Sequence, residues 1–149
     1  MTFKQGTQKE QKKIRIGISF NGRQAPGGHN IILGLLGDHT EVFGFIGGNK
    51  GIFNQKWIKI NHENIQHYVN HSGFHLLGRS SDRLRTATEF DQTEATCRQL
   101  DLDGLILVGA SHTLTDGILL SNHFIEKGIK TVVNCVPCTI DNNVHHKDL

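Results

Sequence analysis

The sequence predicts an α/β fold in which a doubly wound, mostly parallel sheet is layered with helices. Short runs of β-branched and other apolar residues alternate along the chain with segments whose apolar residues recur at helical spacing. The run Gly104–Val108 is continuously apolar, which is typical of a strand that is covered on both faces of a parallel sheet. Parallel strands need helical crossovers, and the alternation of strands and helices supplies them.

Each predicted element has its own local signal. Alternation predicts the first strand, and helical spacing closed by Gly37 predicts the first helix. Thr88 is the expected cap of a long helix, and a capping box at Thr113–Asp116 is expected to open the last helix, which stops at Gly128. The predicted strands are 14–20, 42–46, 55–60 (a small strand or hairpin arm), 104–108 and a buried strand at 129–135, and the predicted helices are 29–36, 62–71, 88–100 and 113–127.

The composition fits one globular domain. The chain has 149 residues, of which 36% are hydrophobic, and its 17 glycines exceed the usual share. A chain of this length buries one core rather than two. The formal net charge is +2, but the first fifteen residues hold five Lys or Arg against one Glu. We therefore expect a basic leader over residues 1–12 and an α/β domain over residues 13–149.

The same patterns exclude several classes of protein. Basic residues concentrate in the leader rather than on a face of the predicted domain, so we expect no nucleic-acid partner. No stretch approaches the roughly 18 apolar residues of a membrane span, and the leader lacks the apolar run of a secretion signal. With three cysteines and no such signal, the chain is expected to be cytoplasmic and its thiols reduced.

One alternative site involves the cysteines. Cys135 and Cys138 form a C-x-x-C pair that is followed by His145 and His146, which is compatible with zinc or redox chemistry. No second C-x-x-C or spaced His pair accompanies it. A strand end followed by Pro137 also accounts for the spacing, and we expect no metal there.

Four segments are predicted to lie at the carboxyl ends of strands, where open α/β sheets bind ligands. They are 21–28, 78–85, 109–115 and 137–143. The first is a glycine-rich turn into a helix, whose backbone suits an anion, and the second holds three arginines, whose guanidinium groups bind phosphate. The last places a hydroxyl and a carboxylate, Thr139 and Asp141, two residues apart, as phosphoryl transfer requires. Each signal alone is also compatible with an ordinary turn.

Taken together and in this order, these segments resemble the phosphofructokinase family. The similarity runs from about Lys13 to Asn143 and implies a Rossmann-like N-terminal half-domain of that family. The run Gly22-Arg23-Gln24-Ala25-Pro26-Gly27-Gly28-His29-Asn30 is most similar to the pyrophosphate-dependent branch, and within it to the regulatory, alpha-type subunit or domain. Segments 43–48, 76–79 and 102–105 strengthen the match.

The resemblance implies a role for particular residues. The positions that it implies for binding the phosphoryl donor are Gly22, Arg23, Arg79, Ala110 and Ser111. Thr139 and Asp141 match the catalytic pair of the family, with Asp141 as the base that takes the proton of the acceptor hydroxyl.

Several positions depart from the family pattern, among them Ala110, which stands at the second glycine of a Gly-Gly-Asp loop. Arg23 stands where catalytic members have the second glycine of a Gly-Gly pair, and Asn143 replaces the second Asp of a Thr-Ile-Asp-Asn-Asp motif. Ser111 stands where the family has the Asp that serves Mg²⁺. A hydroxyl does not replace carboxylate charge in holding a hard cation, so we expect Mg²⁺ in the family but not on this chain.

These observations together predict a function. We expect the regulatory, alpha-type portion of a pyrophosphate-dependent fructose 6-phosphate 1-phosphotransferase of glycolysis, with a degenerate site and little activity alone. The resemblance implies fructose 6-phosphate and pyrophosphate or ATP as substrates of the intact enzyme, and a catalytic phosphofructokinase subunit or domain as partner in an oligomer. The family's sugar-phosphate elements are expected after the Thr-Ile-Asp loop, so the domain is expected to be truncated at its C-terminus. Two alternatives stay open: an active ATP- or pyrophosphate-dependent half-site, and an interaction module that binds no ligand.

Overall fold

A computed structural model describes residues 12–141, 143 and 144. Nearly all of the expected leader, as well as His145 and His146, lies outside the described residues. The elements in chain order are β1 (Ile14–Phe20), α1 (Gly28–Leu35), β2 (Thr40–Phe45), α2 (Asn49–Phe53), β3 (Trp57–Ile60), α3 (His62–Ile65), a 3₁₀ turn (Gln66–Tyr68), α4 (Ala87–Gln99), β4 (Gly104–Gly109), α5 (Ser111–Glu126) and β5 (Val132–Pro137). No helix of this described part is long and apolar enough to cross a membrane.

The five strands form one sheet in the order β3-β2-β1-β4-β5. β1 pairs in parallel with both β2 and β4, β4 pairs in parallel with β5, and β3 runs antiparallel to β2. The chain therefore builds outward from β1 on one side and then crosses to β4 on the other. This arrangement confirms the predicted doubly wound, mostly parallel α/β fold, and it puts a topological switch point between β1 and β4, where loops diverge and ligands bind.

Helices cover both faces of the sheet and create two apolar cores. On one face α2, α4 and α5 enclose a cluster that includes Phe45, Leu105 and Phe124. On the other face α1 and α3 pack over a cluster that includes Phe20 and Ile32. β4 supplies Leu105 to the first cluster and Val108 to the second, and β1 supplies Ile18 to the second, so the loops at the carboxyl ends of these central strands stand on well-packed elements.

The long helix α4 begins earlier than the sequence analysis expected. Thr86, not Thr88, is its N-cap: the Thr86 side chain accepts a hydrogen bond from the amide of Glu89, and the Glu89 carboxylate accepts one from the amide of Thr86. This capping box satisfies donors at both ends of the first turn, which a cap at Thr88 would leave open.

The capping box predicted at Thr113–Asp116 is wrong. Helix α5 starts at Ser111, and its N-cap, Ala110, makes no side-chain cap. Thr113 is buried against the backbone of Gly109, where an added Cβ would meet the Thr113 hydroxyl at 2.3 Å. Asp116 points instead to an arginine from another loop, so neither side chain serves the start of the helix.

Two further elements differ from expectation. The strand expected at 129–135 occupies Val132–Pro137 and lies at an edge of the described sheet, with Val132 59% exposed, so it is not a buried strand. The helix expected at 62–71 is only α3, which begins with a capping box between Asn61 and Asn64, and a 3₁₀ turn that follows it. The short helix α2 was not predicted.

Candidate functional site

The loops after β1, β4 and β5 meet in one crevice at the carboxyl edge of the sheet. A cavity of about 260 Å³ lies between them, and a neighbouring space of about 400 Å³ continues it. The first is lined by Gly22, Arg23, Ala110, His112, Thr113, Cys138, Thr139, Ile140 and Asp141. Ser111 joins Ala110, Thr139 and Asp141 in lining the second. Six of the seven residues predicted for the site thus line this crevice, the exception being Arg79.

Arg79 and Gly22 stabilise the loop after β1. Gly22 has φ of +75°, which glycine adopts without strain, and a Cβ added there would meet nothing within 4 Å. Its amide donates to the carbonyl of Ser80 at 2.8 Å, and its carbonyl accepts from the Arg79 guanidinium at 2.7 Å. The backbone groups of Gly22 are therefore already paired, and Arg79 positions the loop rather than lining the cavity.

Two buried asparagines, which no sequence motif predicts, join the loops beneath the crevice. The Asn21 side chain accepts from the amide of Asn49 at 2.9 Å and donates to the hydroxyl of Ser19 at 3.0 Å. The Asn49 side chain in turn donates to the carbonyl of Asp82 at 3.0 Å. Asn21 directly follows a strand, which is the signal that points to it, whereas the contacts of Asn49 are with residues distant in sequence.

The three arginines of segment 78–85 do not converge on one ligand. Arg83 makes hydrogen bonds of 2.8 to 3.0 Å with both carboxylate oxygens of Asp116, which is 2% exposed at its side chain. The Asp116 carboxylate also accepts from the amide of Leu84 at 3.3 Å. Arg83 therefore joins this loop to α5, Arg79 holds the loop after β1, and Arg85 is exposed.

The first turn of α5 faces the crevice. Ala110 and His112 line the cavity of about 260 Å³, and Ser111 lines the adjoining space of about 400 Å³. The amides at the start of a helix have no partner within the helix, and its dipole is positive there, so this terminus favours an anion. His112 was not predicted as a site residue, although its position next to Ser111 in the same loop was a usable signal.

Thr139 and Asp141 lie together at the end of β5. The Thr139 hydroxyl accepts a hydrogen bond from the amide of Asp141 at 3.1 Å, which fixes a tight turn. Both side chains line the two adjoining spaces, and Asp141 is exposed. The turn presents a carboxylate beside the cavity that Arg23 and the α5 terminus make positive, which suits a proton acceptor next to a bound anion.

The donor atoms of the crevice do not fit magnesium. Mg²⁺ takes octahedral oxygen ligands and is usually held by one or two carboxylates together with phosphate oxygens. Among the described residues that line the two larger spaces, Asp141 supplies the only carboxylate, and Ser111 offers a hydroxyl. Asp116, nearby, is already bound by Arg83.

Among the described residues, no third metal-ligating group lies close to both Cys135 and Cys138. The one group there of three or more close His, Cys, Asp or Glu ligand atoms contains neither Cys135 nor Cys138. Burial raises the pKa of both thiols, and it raises the pKa of Cys97 to about 12, so the thiols stay protonated and weakly nucleophilic at neutral pH.

The fold and the crevice define a doubly wound α/β domain with a polar crevice at its switch point. The phosphofructokinase family model matches residues 15–149, and the chain belongs to that family. It is 39% identical over 143 residues to the pyrophosphate–fructose 6-phosphate 1-phosphotransferase subunit beta 1 of Arabidopsis thaliana, covering 92% of this chain and 25% of that one. It is 38% identical to the alpha subunit of the Solanum tuberosum enzyme, and the match covers 93% of this chain and 23% of that subunit.

A bacterial relative agrees with this assignment, and a solved structure agrees with the fold. The pyrophosphate–fructose 6-phosphate 1-phosphotransferase of Treponema pallidum is 34% identical to this chain, and the match covers 95% of this chain and 26% of the Treponema protein. The structure of a phosphofructokinase of Pichia pastoris in the T-state superposes on this chain with a TM-score of 0.77 at 16% sequence identity. The superposition covers 90% of this chain and 16% of that one, and it supports the fold.

These comparisons confirm the predicted family and its pyrophosphate-dependent branch. The chain spans about a quarter of the length of the curated relatives that it matches. Identities of 39% to a beta subunit and 38% to an alpha subunit do not separate the two types. The alpha-type assignment stays a prediction.

Proposed function

We propose that this chain supplies the phosphoryl-donor side of a pyrophosphate-dependent phosphofructokinase site, where it binds phosphate groups more effectively than it transfers them. The observation that carries the proposal is the meeting of three loops, after β1, β4 and β5, around one cavity. Those loops bring together a guanidinium, a helix N-terminus and a carboxylate, which are the groups that bind and deprotonate in phosphoryl transfer.

Each group has a distinct task in this proposal. Arg23, exposed at the cavity, and the first turn of α5 bind the donor anion through charge-assisted hydrogen bonds. Asp141 accepts the proton of an acceptor hydroxyl, and Thr139 orients the transferred group. Phosphoryl transfer depends on neutralising the developing charge, and here Ser111 supplies no charge toward a metal, so turnover is slow.

In the intact enzyme, the proposed substrates are fructose 6-phosphate and pyrophosphate, with ATP as the alternative donor. The proposed partner is a catalytic phosphofructokinase subunit or domain in an oligomer of the cytoplasm, since relatives are named as alpha and beta subunits. Binding of a phosphate ligand to this chain would then regulate the partner by favouring one conformation of the pair.

Calorimetric titration tests the binding step. Pyrophosphate should bind the chain in the absence of Mg²⁺, and Arg23→Gln should weaken binding by about tenfold or more, the loss expected for a hydrogen bond to a charged group. The matched control is Arg85→Gln, which removes an exposed guanidinium that does not line the cavity. Binding unaffected by Arg23→Gln would place the anion elsewhere.

The two alternatives predict different results. Titrations with pyrophosphate, ATP and sugar phosphates that release no heat at millimolar ligand would favour an interaction module that binds no ligand. Phosphorylation of fructose 6-phosphate by the chain alone, abolished by Asp141→Asn, would favour an active half-site. Pyrophosphate binding without such turnover is the result that the proposed function expects.

A further inference from the structure

A second group of polar side chains lies between α4 and α5, away from the crevice. Asp91, Glu94 and His123 each offer one ligand atom, and these atoms lie within 4.8 Å of one another. Asp91 and Glu94 are three residues apart on α4 and so share a helix face. His123 approaches from the last turn of α5, twelve residues or about 18 Å along the helix from its first turn at the crevice.

Two of the three side chains are held in place. Nε2 of His123 lies 3.3 Å from Oε2 of Glu94, and the His123 ring stacks on Phe90 with centroids 5.3 Å apart. The Arg98 guanidinium donates to the other oxygen of Glu94 at 2.9 Å. The His123 and Glu94 side chains are only 19% and 17% exposed, so their positions are set by packing.

The third side chain, Asp91, is exposed. Among the described residues, the Asp91 carboxylate makes no hydrogen bond or ion pair, although its oxygen approaches both His123 and Glu94. One imidazole nitrogen thus lies close to two carboxylate groups, an arrangement of ligand atoms that suits a divalent cation.

We propose that Asp91, Glu94 and His123 form a binding site for a zinc-class divalent transition cation that joins α4 to α5. Zinc–ligand bonds of about 2.0 to 2.1 Å set tetrahedral ligands about 3.3 Å apart, which is the separation that His123 and Glu94 already have. Rotation of the exposed Asp91 side chain brings in the third ligand, and water completes the coordination. One nitrogen and two oxygens suit Zn²⁺ or Co²⁺ better than Mg²⁺ or Ca²⁺, which prefer oxygen alone.

The bound cation would stabilise the folded chain. Because the ligands come from two helices, the site exists only when α4 and α5 are packed together, and a ligand that binds only the folded state raises its stability. This site is independent of the proposed donor site, since none of its residues lines the crevice.

Titration of the full chain with Zn²⁺ or Co²⁺ alone, after treatment with a chelator, tests the proposal. We expect one cation per chain with micromolar affinity and a rise in the melting temperature. Asp91→Asn and His123→Gln should each weaken binding by at least about tenfold. Asp91 is exposed, so its variant keeps the fold, and His62→Gln, an exposed histidine on α3, is the matched control.

The outcomes are separable. Loss of affinity in both variants but not in the control supports the site. Unchanged affinity in Asp91→Asn, a need for millimolar metal, or a thiolate-to-Co²⁺ charge-transfer band that marks Cys135 or Cys138 as the ligand would each overturn it.

Discussion

At the scale of single residues, the Asp116 carboxylate is 2% exposed at its side chain and accepts three hydrogen bonds from Arg83. Replacing Asp116 with alanine leaves the Arg83 guanidinium, itself 22% exposed, without its partner. Breaking a buried pair by removing one member costs about 3 kcal/mol or more, and we expect the free energy of unfolding to fall by about 3 kcal/mol. Urea denaturation measures this change.

The exposed neighbour Asp82 provides the control for that substitution. Asp82→Ala removes a carboxylate of the same loop whose side chain makes no hydrogen bond or ion pair within the described residues, and we expect its stability to stay within about 0.5 kcal/mol of the wild-type value. If Asp116→Ala were equally mild, Arg83 would not join the loop to α5 as the structure indicates.

His29 makes the stability of the domain depend on pH. Its side chain is fully buried: Nδ1 lies 3.0 Å from the carbonyl of His71, and Nε2 accepts a hydrogen bond from the amide of Leu76 at 3.2 Å. The Leu76 bond requires an unprotonated Nε2, so the ring is neutral, and burial holds its pKa below the ordinary value of 6.5. His75 and His71 add repulsion once they are protonated.

The sign of the effect follows from this lowered pKa. The unfolded chain takes up a proton on His29 below about pH 6.5, while the folded chain does so only at lower pH, so stability is complete above that value and declines as the pH falls through it. We expect the urea midpoint to decrease from pH 7.5 to pH 5, and His29→Gln to flatten that dependence. An equally steep decrease in His29→Gln would assign the effect to other groups.

At the scale of elements, Gly48 at the start of α2 lets two loops and a strand end approach one another. Its φ is +64°, and an added Cβ would lie 2.6 Å from the carbonyl oxygen of Phe20 and from the amide of Ser80. Both are backbone atoms, so Gly48→Ala should destabilise the domain by about 2 kcal/mol or more. Gly34→Ala, where a Cβ meets nothing within 4 Å in α1, is the control and should be neutral or stabilising.

Local patterns predicted the type and order of most elements but misplaced their ends. Thr86 and Glu89 have the spacing of a capping box, but Thr88 is also a residue type that caps helices, so the local sequence does not decide between the two caps. Asp116 resembled a capping residue, and only its contact with Arg83, 33 residues away, decides otherwise. Likewise, an apolar run predicts β5, whereas its edge position depends on its neighbours in the sheet.

Most of the candidate site was predictable, because it depends on the direction of the strands. The residues at strand ends converge whenever the strands are parallel, so six of the seven predicted residues line the crevice once the sheet forms. Arg79, the exception, instead donates a hydrogen bond to the carbonyl of Gly22 across the two loops. A hydrogen bond between residues 57 positions apart has no local signature, and only the structure reveals it.

At the scale of the whole molecule, binding and transfer of phosphate are separate properties of one crevice. The rigid centre of the sheet positions the loops, while charge decides what they do with an anion. Ser111 and Asp141 line the same space of about 400 Å³, so Ser111→Asp would put two carboxylates there. We expect Mg²⁺ to strengthen pyrophosphate binding by about tenfold or more in this variant and to have little effect on the wild-type chain.

Calorimetry with and without Mg²⁺ distinguishes these cases, and Ser111→Asn, which adds similar bulk without charge, is the matched control. Mg²⁺-dependent binding by the wild-type chain would mean that a hydroxyl and one carboxylate suffice, which contradicts the charge requirement. A coupled assay of fructose 6-phosphate phosphorylation adds the second test: we expect no robust turnover from the wild-type chain alone. Robust turnover would show that the crevice neutralises transition-state charge without a second carboxylate, and the proposed preference for binding over transfer would fail.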